Sequence, residues 1–119
     1  MVAVELSYSR CGESRKVALI DSGADRCIFR SEIAEELGIT NLENGIRYDF
    51  GGVANGNTIV GYIHKIGLSV DGLPTYTVSA VFTHQMSGIA DCLLGQIGFF
   101  DHFAVKLDYR KNEISIKSR

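Results

Sequence analysis

The sequence predicts a mostly β protein folded as a single domain over residues 1–119. Three observations carry that expectation. Tyr62, His64, Ile66, Leu68 and Val70 alternate with their neighbours, and Tyr76, Val78, Ala80 and Phe82 do so again. Period-two patterning marks strands with one buried face. Val17-Ala18-Leu19-Ile20 and Cys92-Leu93-Leu94 are instead continuous apolar runs, as in strands covered on both faces. Glycines and polar turn residues separate these segments, leaving room for only one or two short helices. A chain of 119 residues suffices for one domain with a real core and is short for two.

In chain order, Val2 to Tyr8 and Arg15 to Ile20 read as strands joined by a polar turn around Cys11-Gly12-Glu13. The second strand runs into Asp21-Ser22-Gly23, a turn-prone tripeptide. A short helix follows: Ser31 is the expected N-cap, Glu32 sits in the first turn, and Gly38 stops the helix after Leu37. Ile33 and Leu37 share its buried face. Tyr48 to Tyr62, punctuated by Gly51, Gly52, Gly56 and Gly61, reads as a long hairpin with a glycine-rich tip. The two alternating strands come next, turning at Asp71-Gly72-Leu73-Pro74. After Cys92-Leu93-Leu94, a single helical turn is expected near Gln96 to Asp101. Phe103 to Tyr109 and Glu113 to Ile116 then close the chain as a hairpin turning at Arg110-Lys111-Asn112.

Composition narrows the functional classes. The formal net charge of -2 favours neither nucleic acid nor an anionic membrane as a partner. Five of the twelve Lys and Arg residues lie between Lys106 and Arg119, where a solvated turn and tail account for them. No apolar run approaches the roughly 20 residues that cross a bilayer as a helix. The first residues lack the basic start and apolar stretch of a signal peptide. Three cysteines, Cys11, Cys27 and Cys92, are an odd count without CxxC spacing, which disfavours a disulfide framework or a zinc knuckle. A reducing, cytoplasmic setting is the expectation. His64, His84 and His102 show no paired spacing, so neither a metal nor another cofactor is expected.

Asp21 is the residue placed for chemistry. It leaves a buried strand on a rigid base, and Gly23, lacking a side chain, lets a second backbone approach. Two carboxylates held together cannot both ionise, so they share a proton. The ionised one then takes a proton from water, which attacks a peptide carbonyl, while the protonated one donates to the carbonyl oxygen. Only Asp21 is followed by Ser-Gly; Asp25, Asp49, Asp71, Asp91, Asp101 and Asp108 are not. If this chemistry operates, the second carboxylate comes from another copy. An isologous dimer sets two Asp21 side chains on its two-fold axis.

Four blocks in order give the chain a resemblance to the retropepsin-like aspartic proteases, which include the viral retropepsins and the retropepsin-like domain of DNA-damage-inducible proteins. Val17 to Asp25 resembles the family's apolar strand and active-site loop. Gly51-Gly52-Val53-Ala54-Asn55-Gly56 through Gly61-Tyr62-Ile63-His64 resembles its flap. Cys92-Leu93-Leu94-Gly95 resembles the run that crosses behind the loop, and Phe103 to Ile116 resembles the closing hairpin. The first and third blocks, about 70 residues apart, are the specific pair.

The resemblance implies a closed β-barrel of the acid protease fold, active as a two-fold homodimer on a peptide or protein substrate, with Asp21 catalytic. Ser22 would hydrogen-bond across to the partner's loop, and the Gly23 carbonyl would meet the substrate backbone. Ala24 and Asp25 would line the substrate, with Asp25 contacting its main chain. Gly51 to Asn57 would close over the peptide as a lid. One departure is visible: viral members often carry Arg after the later block's glycine, facing the acidic loop residue, and here Gln96 follows Gly95.

Competing readings are weaker. Ser22 lacks the Gly-x-Ser-x-Gly elbow and a histidine marked as its base. Gly51-Gly52 lacks the strand-to-helix context and lysine of a phosphate loop. Cys27 reads as a buried, inert thiol sooner than a redox sensor. The rival from another class is a non-catalytic peptide-binding or dimerisation module that keeps Asp21 for its turn.

Overall fold

The computed structural model describes residues 2–8, 12–51, 58–70, 72–86 and 91–119. Nine strands, β1 (Val2–Tyr8), β2 (Gly12–Ile20), β3 (Cys27–Arg30), β4 (Ile46–Phe50), β5 (Ile59–Val70), β6 (Tyr76–Thr83), β7 (Cys92–Leu94), β8 (Phe103–Asp108) and β9 (Glu113–Ser118), are joined by one α-helix, α1 (Ser31–Glu36), and a 3-10 turn at Leu42–Asn44.

Six strands pair in the cyclic order β1-β2-β7-β3-β6-β5 and return to β1, closing a barrel. The closure depends on the length of β5. Its far end pairs with β1 (Leu6↔Leu68), its near end pairs along the same edge with β4 (Phe50↔Ile59), and β6 covers its other edge. One long strand therefore both seals the barrel and carries the β4–β5 hairpin away from it. This is the retropepsin-like architecture expected from the sequence.

Alternation explains the core. Val4 and Leu6 of β1, Ile66, Leu68 and Val70 of β5, and Val78, Ala80 and Phe82 of β6 all point inward and are buried. Cys27 and Phe29 do the same from β3. The Phe29 and Phe82 rings meet at 5.6 Å between centroids, and each buried ring contributes about 1.5–3 kcal/mol through apolar area removed from water. The end of β6 departs from simple alternation, since Val81 and Thr83 are buried too. The Thr83 hydroxyl is satisfied by donating to the Val60 carbonyl at 2.8 Å.

Several local expectations are corrected. Gly12 and Glu13 belong to β2, paired with Tyr8 and Ser7, and are strand residues where a turn was expected. The β4–β5 hairpin begins at Ile46, two residues ahead of Tyr48. Arg30, not Ser31, occupies the N-cap of α1, and no side chain caps it. The cause is direct: Arg30 is still paired with Thr83 in the sheet, so the strand hands over to the helix without a linker, and Ser31 becomes a buried first helical residue. At the other end the expectation holds. Gly38 (φ 88°) follows Leu37, its N–H reaches Glu35 O, and Ile39 N–H reaches back to Ala34 O, closing the helix with a double cap. The helical turn expected near Gln96 to Asp101 is a run of turns instead. Ile97 bridges to Arg26, and Gly98 at φ 106° breaks any helical path.

The terminal hairpin β8–β9 forms a separate two-stranded sheet. Its turn is held by Asp108 Oδ1, which accepts from Arg110 and Lys111 N–H, and Asn112 takes φ 55°. Phe103 is buried where the hairpin starts, whereas Leu107 and Ile114 are 51% and 48% exposed.

Candidate active site

Asp21 stands where two strands run side by side. The last residues of β2, Leu19 and Ile20, pair in parallel with Leu93 and Leu94 of β7. The next N–H, that of Asp21, continues the ladder by donating to Leu94 O at 2.9 Å. The chain then turns: Ala24 N–H donates to Asp21 O at 3.1 Å, and Gly23 N–H donates to Asp21 Oδ1 at 2.9 Å. An Asx turn of this kind fixes one carboxylate oxygen by main-chain contact. Asp21 is half-buried, and Ser22 and Gly23 are exposed.

The segment after β7 braces the loop from behind. Gln96 N–H donates to Ala24 O at 2.9 Å, Ile97 N–H donates to Asp25 O at 2.8 Å, and Ile97 bridges Arg26 in parallel. Gly95 makes this approach possible, because a Cβ there would lie 2.4 Å from Arg26 O and 2.7 Å from Ala24 O. The departure at Gln96 also finds a use. Its side-chain Nε2 donates to Ser22 O at 2.8 Å, bracing the crest of the loop with a neutral amide. Sequence reasoning registered only the missing arginine and overlooked this bond. Asp25 is exposed, and among the described residues its carboxylate makes no ion pair.

The β4–β5 hairpin faces the loop across a trough. Tyr48 and Phe50 stack at 5.7 Å on its inner side. One recess of about 160 Å3 lies between them and Ala24, Asp25, Arg26 and Gly51. A second, of about 140 Å3, is lined by Ile59, Thr83, Met86 and Leu93. Ile28 and Phe50 line both, so the recesses are adjacent along the trough. Gly51, at φ 72°, turns the chain out of β4. Gly52, Val53, Ala54 and Asn55, assigned to the substrate by resemblance, lie outside the described residues, as does the rest of the hairpin tip to Asn57. Sequence reasoning missed Arg26, Ile28, Tyr48 and Phe50 as trough residues. The alternation of Tyr48 with Phe50 was the available signal.

On the loop's other flank lies an apolar recess of about 300 Å3, framed by Leu19, Ile20, Phe100, Val105, Leu107 and Ile114 beside Ser22. A further recess, about 320 Å3, lies on the outer surface of β1 and β2 among Glu5, Glu13 and Arg15, away from this chemistry.

Cys27 and Cys92 are buried behind the loop. Burial pushes the Cys27 thiol up to about 11 and the Cys92 thiol up to about 12. Thiols held neutral in this way are inert at ordinary pH. The histidines have separate structural partners: His64 Nε2 bonds Leu42 O at 2.7 Å, His84 lies 3.8 Å from Glu43, and His102 stacks on Tyr76.

A strand ending in a braced Asp-Ser-Gly turn, inside a six-strand barrel with an overhanging hairpin, defines a retropepsin-like protein. The sequence agrees: residues 12–99 match the family model described as "gag-polyprotein putative aspartyl protease", and the chain belongs to that family. No individual curated protein matches it. Among solved structures, the chain is similar to the retroviral protease-like domain of Ddi1 from Leishmania major, with a TM-score of 0.56 and 19% identity over 98% of this chain and 88% of that one. At that identity the likeness speaks for the fold.

Proposed function

We propose that the chain is one subunit of a homodimeric aspartic endopeptidase. The observation that carries this reading is the setting of Asp21, with its backbone tied to β7, one carboxylate oxygen held by Gly23 N–H, and a trough beside it. Two such carboxylates meeting on a two-fold axis would share one proton, activate water and protonate the scissile carbonyl. The apolar recess next to Ser22, with the exposed Leu107 and Ile114, supports a second copy as the cover for that flank. In the dimer Ser22 would reach the partner's loop. Gly23, Ala24 and Asp25 would meet an extended peptide from below, and the β4–β5 hairpin would meet it from above, as in strand addition.

The test is cleavage of a mixed peptide library by wild type and Asp21→Asn, each sized by sedimentation in the same buffer. The proposal expects the wild-type dimer to cut and an equally dimeric variant to be silent. Folded dimers that never cut over a range of pH would favour a peptide-binding module instead.

A further inference from the structure

We propose that the trough selects peptides carrying an acidic side chain, which Arg26 binds through its guanidinium. The inference rests on the peptide-cleaving reading of the same trough and adds a substrate class to it. The Arg26 guanidinium lies over the Tyr48 ring at 5.0 Å, and Tyr48 in turn stacks on Phe50. A guanidinium held over a ring by its charge keeps N–H donors available for another partner. Its fork matches a carboxylate, which it grips with two parallel hydrogen bonds.

The neighbouring arginines Arg30 and Arg47 are already matched. Arg30 holds Asp91 at 2.7 Å, and Arg47 holds Asp49 at 3.0 Å on the hairpin face opposite Tyr48. Among the described residues Arg26 has no ion pair and its side chain donates no hydrogen bond, although Asp25 is its neighbour in sequence. The segments Gly52-Val53-Ala54-Asn55-Gly56-Asn57 and Ser87-Gly88-Ile89-Ala90 contain no acidic residue to answer it. A half-buried cation, held over the Tyr48 ring in a recess it shares with Asp25, is thus left for the substrate to neutralise. In a two-fold dimer the recess occurs twice, so acidic residues are favoured on both sides of the scissile bond.

The test uses paired peptides that differ only in Glu or Gln, with the swap scanned along a sequence the protein cuts. Wild type should show a kcat/KM about tenfold higher for Glu at one or two positions, as a charge-assisted pair warrants. The ratio should fall to about one in Arg26→Gln and turn toward Lys in Arg26→Glu. No Glu preference at any position, or a preference that survives in Arg26→Gln, overturns the inference while leaving the peptidase reading intact. Should Arg26→Gln fail to fold, wild type decides: a Glu advantage that shrinks with salt supports the inference, and one indifferent to salt overturns it. If no peptide is cut, binding of the same pairs to wild type is read by fluorescence anisotropy. Tighter binding of the Glu member, lost in Arg26→Gln, supports the inference although the peptidase reading has failed; equal or absent binding overturns it.

Discussion

The active-site loop and the terminal hairpin lie on either side of one apolar recess, yet they are finished to different degrees. From Asp21 to Arg26 the loop is tied to β7 and the segment after it by main-chain bonds, the Gln96 amide and the close approach at Gly95. The β8–β9 hairpin has a well-held turn, but Leu107 and Ile114 remain about half exposed. Residue contacts within one chain complete the loop, whereas the hairpin's apolar face is left for something else to cover. The comparison teaches that stability and assembly are carried by different surfaces and can be perturbed separately.

The largest expected effect comes from breaking the loop. Gly95→Val places a side chain against Arg26 O and Ala24 O, both backbone atoms with little room to yield. It should cost about 3 kcal/mol or more, read as a lower urea midpoint with an unchanged slope. An unchanged midpoint would mean that the approach behind the loop is looser than the distances imply.

Charging the hairpin should behave in the opposite way. Leu107→Asp with Ile114→Asp alters two exposed positions, so the unfolding midpoint of the separated chain should move by less than about 1 kcal/mol. Sedimentation should nevertheless shift from dimer to monomer, and peptide cleavage should disappear with it. A variant that stays dimeric would place the interface elsewhere.

A separate effect, read against pH, concerns the thiols buried behind the loop. Burial raises the folded-state value of Cys27 to about 11 and that of Cys92 to about 12. Because the folded values lie above the unfolded value of about 8.5, this contribution to stability is intact below pH 8.5 and is lost as pH climbs toward them. Each thiol should weaken folding by up to about 1.4 kcal/mol per pH unit in that window. Urea midpoints measured from pH 7 to 10 should therefore be level at first and then fall, with both thiols unreactive in the native state at pH 7.

How much of this was legible beforehand follows from what is local. The apolar run into Asp21, the run ending at Gly95 and the alternation of β5 and β6 all announce themselves within a few residues. So did the Gly38 stop, because a left-handed position has few alternatives to glycine. The N-cap was misplaced because Arg30 is fixed by pairing with Thr83, 53 residues away in sequence, which no local signal reports. For the same reason Gln96 looked like a mere loss: its acceptor, Ser22 O, is 74 residues distant. Arg26, Tyr48 and Phe50 belong to separate segments, and only the fold brings the guanidinium over the ring.

The central proposal is that one site is built from two copies of Asp21, and subunit mixing tests it most directly. Wild type and Asp21→Asn are combined in equal amounts under exchanging conditions, and cleavage is compared with wild type at the same total concentration. A shared site leaves about a quarter of the activity, because only dimers with two intact carboxylates cut. Activity of about one half, in step with the wild-type fraction, would mean that each chain works alone and would contradict the shared site.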